Sequence, residues 1–153
     1  MELMDKLLSV LFPSRCILCQ KTINFPLDNS AVEICHDCYQ ILPFNISTCF
    51  RCALPLAHDV ETKTLCGRCI AKLPAFDYAH SLFRYEDAVI SLVHQLKFSE
   101  KITFARSIGE MLLSSCQSDH GLKQEKPDCI LPVPLYTARL KQRGFNQSIE
   151  ISR

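Results

Sequence analysis

Eight of the ten cysteines in this 153-residue chain fall into four C-x-x-C pairs: Cys16/Cys19, Cys35/Cys38, Cys49/Cys52 and Cys66/Cys69. Two residues between cysteines let a tight turn aim both thiolates at one ion, so each pair is half of a tetrahedral four-cysteine site. Four halves make two sites. The spacing also says which halves belong together. Cys16 to Cys49 and Cys19 to Cys52 are both offset by 33 residues, and Cys35 to Cys66 and Cys38 to Cys69 by 31. The repeating unit is a first pair, a short insert and a second pair. It favours tandem sites, Cys16/Cys19/Cys35/Cys38 and Cys49/Cys52/Cys66/Cys69, over an interleaved cross-brace.

The inserts, residues 21–34 and 53–65, carry β-branched residues and turn formers, so each is expected to make a small hairpin. Two tandem zinc ribbons result. A site closed by four thiolates leaves no position for water or substrate, which makes both zinc ions structural. Tetrahedral sulfur ligation suits iron as well, and the sequence leaves that alternative open. Thioredoxin-like redox chemistry needs one C-x-x-C beside a βαβ pattern, and four pairs in short order do not fit it. His36, inside CHDC, is expected to be an exposed knuckle residue, with the four cysteines filling the site. His58, His80, His94 and His120 have no partner at ligand spacing.

Paired cysteines hold metal more often than disulfides where the compartment is reducing. Residues 1–12 place Leu3, Met4, Leu7, Leu8 and Leu11 at helical spacing, and Pro13 ends the run. Glu2 and Asp5 precede any basic cluster, unlike an export signal, so the expected location is the cytoplasm and the expected segment a short amphipathic helix. No window approaches the ~20 apolar residues of a membrane span. Formal charge is +1, and eight thiolates around two dications take it to −3, which disfavours broad electrostatic DNA binding.

Past Cys69 the cysteine pairs stop, and Pro74 reads as a linker. The reading is a ribbon part over 1–75 and a different, α/β part over 76–153. Residues 80–85 suit a strand. Residues 86–98 put Val89, Leu92, Val93 and Leu96 on one helical face, and residues 100–116 repeat the pattern with Ile102, Ala105, Ile108, Leu112 and Cys116. Cys116 is expected to be a buried small hydrophobe. Cys129, Ile130, Leu131 and Val133, bounded by prolines, read as a buried strand, with Cys129 inert. The basic stretch that follows sits where ligands of open α/β sheets bind. Arg139 and Arg143 offer forked donors to phosphate, Gly144 allows φ > 0 and Asn146 can cap the next helix.

The stretch PVPLYTARLKQRGFNQS resembles the signature of ComF-type proteins, and SLFRYEDAVISLVHQLKF resembles that family's opening strand and first helix. The doubled C-x-x-C region after a short Leu-rich helix resembles its N-terminal part. The resemblance runs from about residue 3 to the C-terminus. It implies a double zinc ribbon joined to a type I phosphoribosyltransferase-like α/β domain, and a link to natural competence, the uptake and handling of transforming DNA. It further implies that Arg139, Arg143, Gly144, Phe145, Asn146 and Gln147 face a phosphate or nucleotide pocket.

One departure bears on activity. Type I phosphoribosyltransferases hold 5-phosphoribosyl 1-diphosphate (PRPP) with an acidic pair and a Thr-Thr-Gly loop. This sequence has no Asp-Asp, no Thr-Thr and no Gly-rich loop. The transferase part therefore reads as incomplete, its catalytic residues stay unassigned, and the chain alone is expected not to turn over. Mg²⁺ would enter only with that reaction. Expected partners are a protein of the competence machinery and PRPP or a nucleotide. The rival reading is a zinc-ribbon adaptor for a protein or single-stranded nucleic acid, with Tyr39, Phe44 and Phe50 as stacking candidates weighed against small-core packing.

Overall fold

The computed structural model describes residues 13–23, 32–57, 63–98, 102–118 and 127–153. The expected helix over residues 1–12, and His58 and His120, lie outside them. Among the described residues six helices follow in order: α1 (His36–Gln40), α2 (Gly67–Ala71), α3 (Asp87–Phe98), α4 (Ile102–Ser118), α5 (Thr137–Arg143) and α6 (Gln147–Ile151).

The 33- and 31-residue offsets of the sequence are a duplication of backbone structure. In the first unit Cys16 N–H donates to Lys21 O, Gln20 N–H to Cys16 O and Ile23 N–H to Ser14 O. In the second, Cys49 N–H donates to Leu54 O, Ala53 N–H to Cys49 O and Leu56 N–H to Ser47 O. Gln20 and Ala53 both take positive φ, 61° and 55°, where the knuckle turns back. Antiparallel bridges Arg15↔Thr22 and Thr48↔Pro55 close each knuckle. Within each unit the described β-pairing thus wraps the first cysteine pair, whereas the expected hairpins fall in the inserts. Residues 24–31 and 58–62 of those inserts lie outside the described set. Cys35 and Cys66 then start α1 and α2 with matching extended dihedrals, φ −73° and ψ 158° against φ −74° and ψ 159°.

The helices settle the remaining expectations. α3 buries Val89, Leu92 and Leu96 as its periodicity predicts, with Val93 half-buried. α4 forms where expected, with Ala105 buried and Ile108 packed against the core as its periodicity predicts, but its inward face is rotated from the expected one. Phe104, Ala105, Ser107 and Met111 are buried, while Ile102 is 47% exposed. The reason is Ser107: its hydroxyl accepts the Glu33 N–H at 3.1 Å, which fixes the rotation of the helix against the first ribbon. Cys116 is half-buried rather than buried.

Neither expected strand becomes one. Around residues 80–85 a single antiparallel bridge joins Phe83 to Phe44, flanked by Asn45 N–H to Leu82 O and Arg84 N–H to Pro43 O. Residues 129–133 have no regular secondary structure and are open to solvent, with Ile130, Leu131 and Val133 66%, 85% and 71% exposed. Cys129 is exposed, not buried. A buried strand needs a ladder on its flanks, and Pro132 and Pro134 each remove a donor. Among the described residues no α/β sheet forms.

One hydrophobic core spans most of the chain. Cys16, Ile17, Ile34 and Leu42 of the first ribbon pack with Leu92, Leu96, Phe104, Met111 and Phe145. The second ribbon keeps a smaller cluster of its own, Cys49, Cys66 and Cys69 with Cys52, Leu56 and Leu65. It is tethered by Asn45 Nδ2 donating to Ala53 O at 3.0 Å and Ala79 N–H donating to Arg51 O at 2.9 Å.

Candidate metal centres

Each centre is built from one knuckle and one helix start. A C-x-x-C turn presents two sulfurs from the knuckle. The second pair sits at the first turn of a five-residue helix, so Cys35 and Cys38, or Cys66 and Cys69, point the same way. One backbone bond locks the halves together in each unit: Ile17 N–H to Glu33 O at 2.8 Å, and Phe50 N–H to Thr64 O at 2.9 Å.

The result is two groups, Cys16/Cys19/Cys35/Cys38 and Cys49/Cys52/Cys66/Cys69, in each of which all Sγ atoms lie within 4.8 Å of one another. The arrangement is tandem. The Cys19 and Cys35 sulfurs are 3.7 Å apart, and so are those of Cys52 and Cys66. A tetrahedron with Zn–S bonds of about 2.3 Å has edges of about 3.8 Å, so these edges match four-thiolate ligation. They are far longer than a disulfide, about 2.05 Å.

The surroundings favour thiolate at one buried cysteine of each group. Burial pushes the Cys16 thiol up, but the backbone N–H groups of Cys19, Cys35 and Leu18 outweigh it and bring the pKa down to about 6. The second unit repeats this. Burial of Cys49 is outweighed by the N–H groups of Cys66, Cys52 and Arg51, again to about 6. The Cys66 N–H to Cys49 Sγ distance is 3.2 Å. Burial and the neighbouring sulfurs push two further buried thiols up, Cys38 strongly and Cys69 to about 12. Four sulfurs this close cannot all ionise without a cation between them, and a dication supplies that compensation. Four protein ligands close each site, so its chemistry is structural.

His36 stands outside the first group. Its ring pairs with the Gln40 side chain at 2.8 Å on the exposed face of α1. His80 pairs with the Ser115 hydroxyl at 2.9 Å, and the His94 ring lies against Phe98.

The basic segment near the C-terminus is also brought together, in a particular way. Gly144 takes φ +76° and ends α5. Asn146 caps α6 by accepting the Ser148 N–H, and its Nδ2 donates to Val133 O at 3.0 Å. Phe145 is buried in the main core, and Asn146 and Gln147 are buried beside it. Arg143 lies over the Phe98 ring, 5.2 Å from its centroid, and reaches Gln147 Oε1 at 3.4 Å. Arg139 is exposed. Of the stacking candidates, Phe44 packs against Tyr39 and Phe83 with centroids 5.2 and 5.1 Å apart. Phe50 is 44% exposed, with the Lys63 ammonium 6.0 Å from its ring centre.

Sequence reasoning did not find an open groove of about 1180 Å³ between α4, residues 127–130 and the C-terminal turn. Leu112, Leu113, Cys116 and Ile130 supply its apolar wall, with Arg106 and Arg153 at its edge. Its signal was the outward apolar half of α4, which the periodicity assigned to the core.

Comparison with known proteins bears on these centres directly. A family model described as a double zinc ribbon domain matches residues 7–70. DNA utilization protein YhgH of Salmonella typhimurium is 36% identical over 139 residues, 89% of this chain and 57% of that protein. YhgH of Escherichia coli strain K12 is 33% identical over the same span. Competence protein F of Haemophilus influenzae is 26% identical over 143 residues, 93% of this chain and 59% of that protein. The chain spans a little over half the length of the curated relatives it matches. No solved structure matches it.

Proposed function

We propose that the chain is a ComF-like protein built on a double zinc ribbon and serves the uptake or use of DNA, each cysteine tetrad holding one structural zinc. The observation that carries the metal assignment is the pair of four-sulfur groups with matching 3.7 Å edges. The relatives' names, DNA utilization protein and competence protein F, support the DNA role.

The zincs act by holding geometry. The first ribbon packs on α3 and α4, and through the same core on Phe145, which anchors the Arg143–Gln147 turn. Within that turn Gly144, Phe145, Asn146 and Gln147 build the backbone, and Arg139, exposed on α5, is the side chain available to a phosphate-bearing ligand. A phosphoribosyltransferase-like role for residues 76–153 rests on resemblance of the RGFNQ stretch, with PRPP or a nucleotide as the ligand to try.

Two measurements test this. Native mass spectrometry of the purified chain is expected to count two zinc ions, both removed by a strong chelator; fewer than two refutes the ribbon assignment. A strain lacking the gene is expected to lose use or uptake of external DNA and to regain it with the wild-type chain but not with a Cys49→Ser, Cys66→Ser double variant. Unchanged DNA use in the deletion strain refutes the functional reading.

A further inference from the structure

The two tetrads are alike in geometry and unlike in setting. In each, one edge between the two halves is 3.7 Å long, Cys19–Cys35 in the first and Cys52–Cys66 in the second. Along that edge the first tetrad presents Cys19 exposed and Cys35 half-buried, whereas the second presents Cys52 half-buried and Cys66 only 5% exposed. Susceptibility of a thiolate to oxidation follows its ionisation and its access to solvent. A bound dication would keep all eight sulfurs ionised, so access decides between the sites.

The consequence of losing a metal also differs. Cys16 and Cys38 belong to the main core with Leu92, Leu96 and Phe104, and the Glu33 backbone of this ribbon is tied to α4 through Ser107. Among the described residues the second tetrad shares its cluster only with Leu56 and Leu65. Opening the first site exposes the seam between ribbon and helices. Opening the second disturbs a small local cluster.

We propose that hydroperoxides oxidise the Cys19–Cys35 edge to a disulfide, expelling the first metal and loosening the first ribbon from α3 and α4, while the second tetrad keeps its metal. The proposal rests on the zinc reading above. In the first step the Cys19 sulfur attacks one peroxide oxygen: an S–O bond forms, the O–O bond breaks, and the departing oxygen takes a proton to leave as water or alcohol. In the second the Cys35 thiolate displaces hydroxide from that sulfenic acid, forming the S–S bond, and the hydroxide takes a proton to become water. Two electrons pass from the sulfurs to the peroxide. Cys16 and Cys38 then remain as two ligands, too few for a closed site. A dithiol reverses the change by exchange and, with zinc resupplied, restores the tetrad.

The test uses the full zinc-loaded chain, hydrogen peroxide, native mass spectrometry, disulfide mapping and hydrogen exchange. The expected result is that one zinc leaves roughly tenfold faster than the other, through an accumulating one-zinc species. That species carries a Cys19–Cys35 disulfide and lost amide protection in α3 and α4, both reversed by dithiothreitol and zinc. Release of both metals at one rate, a first disulfide joining Cys52 to Cys66, or unchanged protection of α3 and α4 overturns the proposal while leaving two structural zincs in place. Fewer than two zincs before peroxide is added refutes the metal reading, and the proposal falls with it.

Discussion

Cys16 and Cys38 share a tetrad and are pushed in opposite directions, Cys16 down to about 6 by backbone N–H donors that outweigh its burial, Cys38 up by burial and by its neighbours. Cys49 and Cys69 repeat the contrast, about 6 against about 12. At neutral pH the metal-free protein therefore has Cys16 and Cys49 ionised and Cys38 and Cys69 protonated. Metal binding must displace those protons, so zinc affinity rises with pH. As pH falls through about 6, Cys16 and Cys49 protonate too and the loss steepens. Competition against a chromophoric chelator over a pH series checks this, and an affinity flat in pH refutes thiolate ligation. Asn146 is a second residue whose two ends do different work, Oδ1 capping α6 and Nδ2 holding Val133 O, in a site 8% exposed. Asn146→Ala is expected to cost about 1–3 kcal/mol in urea unfolding, from the lost cap and an unpaired buried group. Asn146→Asp keeps the cap and loses the donor, so it should fall between the two.

Among the elements, α4 is the one everything else is set against. It meets α3 on one side and α6 on the other. Gly109 makes the second contact possible: a Cβ there would lie 2.7 Å from the Ile151 carbonyl oxygen, and backbone cannot swing aside as a long side chain can. Gly109→Ala is expected to destabilise by about 1–3 kcal/mol through overpacking. Gly67→Ala, at a position with open space in α2, is the control expected to be neutral or slightly stabilising. Equal effects of the two substitutions in thermal unfolding would refute the close approach of α4 and α6. The short helices α1 and α2 follow another logic. Five residues make too few hydrogen bonds to persist alone, so their stability is borrowed from the cysteines at their first turns.

For the whole molecule the asymmetry between the two ribbons matters most, since one is fused to the helical core and the other is tethered to it. Ser107, 1% exposed, accepts the Glu33 N–H across that fusion, and Glu33 O in turn accepts from Ile17 at the first knuckle. Ser107→Ala is expected to cost about 1–3 kcal/mol because a buried N–H is left unpaired, and to raise hydrogen exchange at Glu33 together with the middle of α4. A local change at Glu33 alone would mean that ribbon and helices do not share one cooperative unit. Among the described residues no helix is long and apolar enough to cross a membrane. Much of this was legible in the residues themselves. Metal ligation needs a residue type at a spacing, so the cysteine pairs and the 33- and 31-residue offsets led directly to the tandem groups that the structure forms. The helical spacing of apolar residues likewise located α3 and α4 to within two residues at either end. Rotation and burial were not legible. Which face of α4 points inward depends on a hydroxyl 74 positions from its partner amide, and whether residues 129–133 become a buried strand depends on neighbours that no local pattern supplies. The RGFNQ stretch shows the same division. A sequence records the polarity of Asn146 and Gln147, but only the packing of Phe145 into the main core decides that these polar groups turn inward to hold the chain. Local chemistry travels with the residue, while burial is a property of everything packed around it.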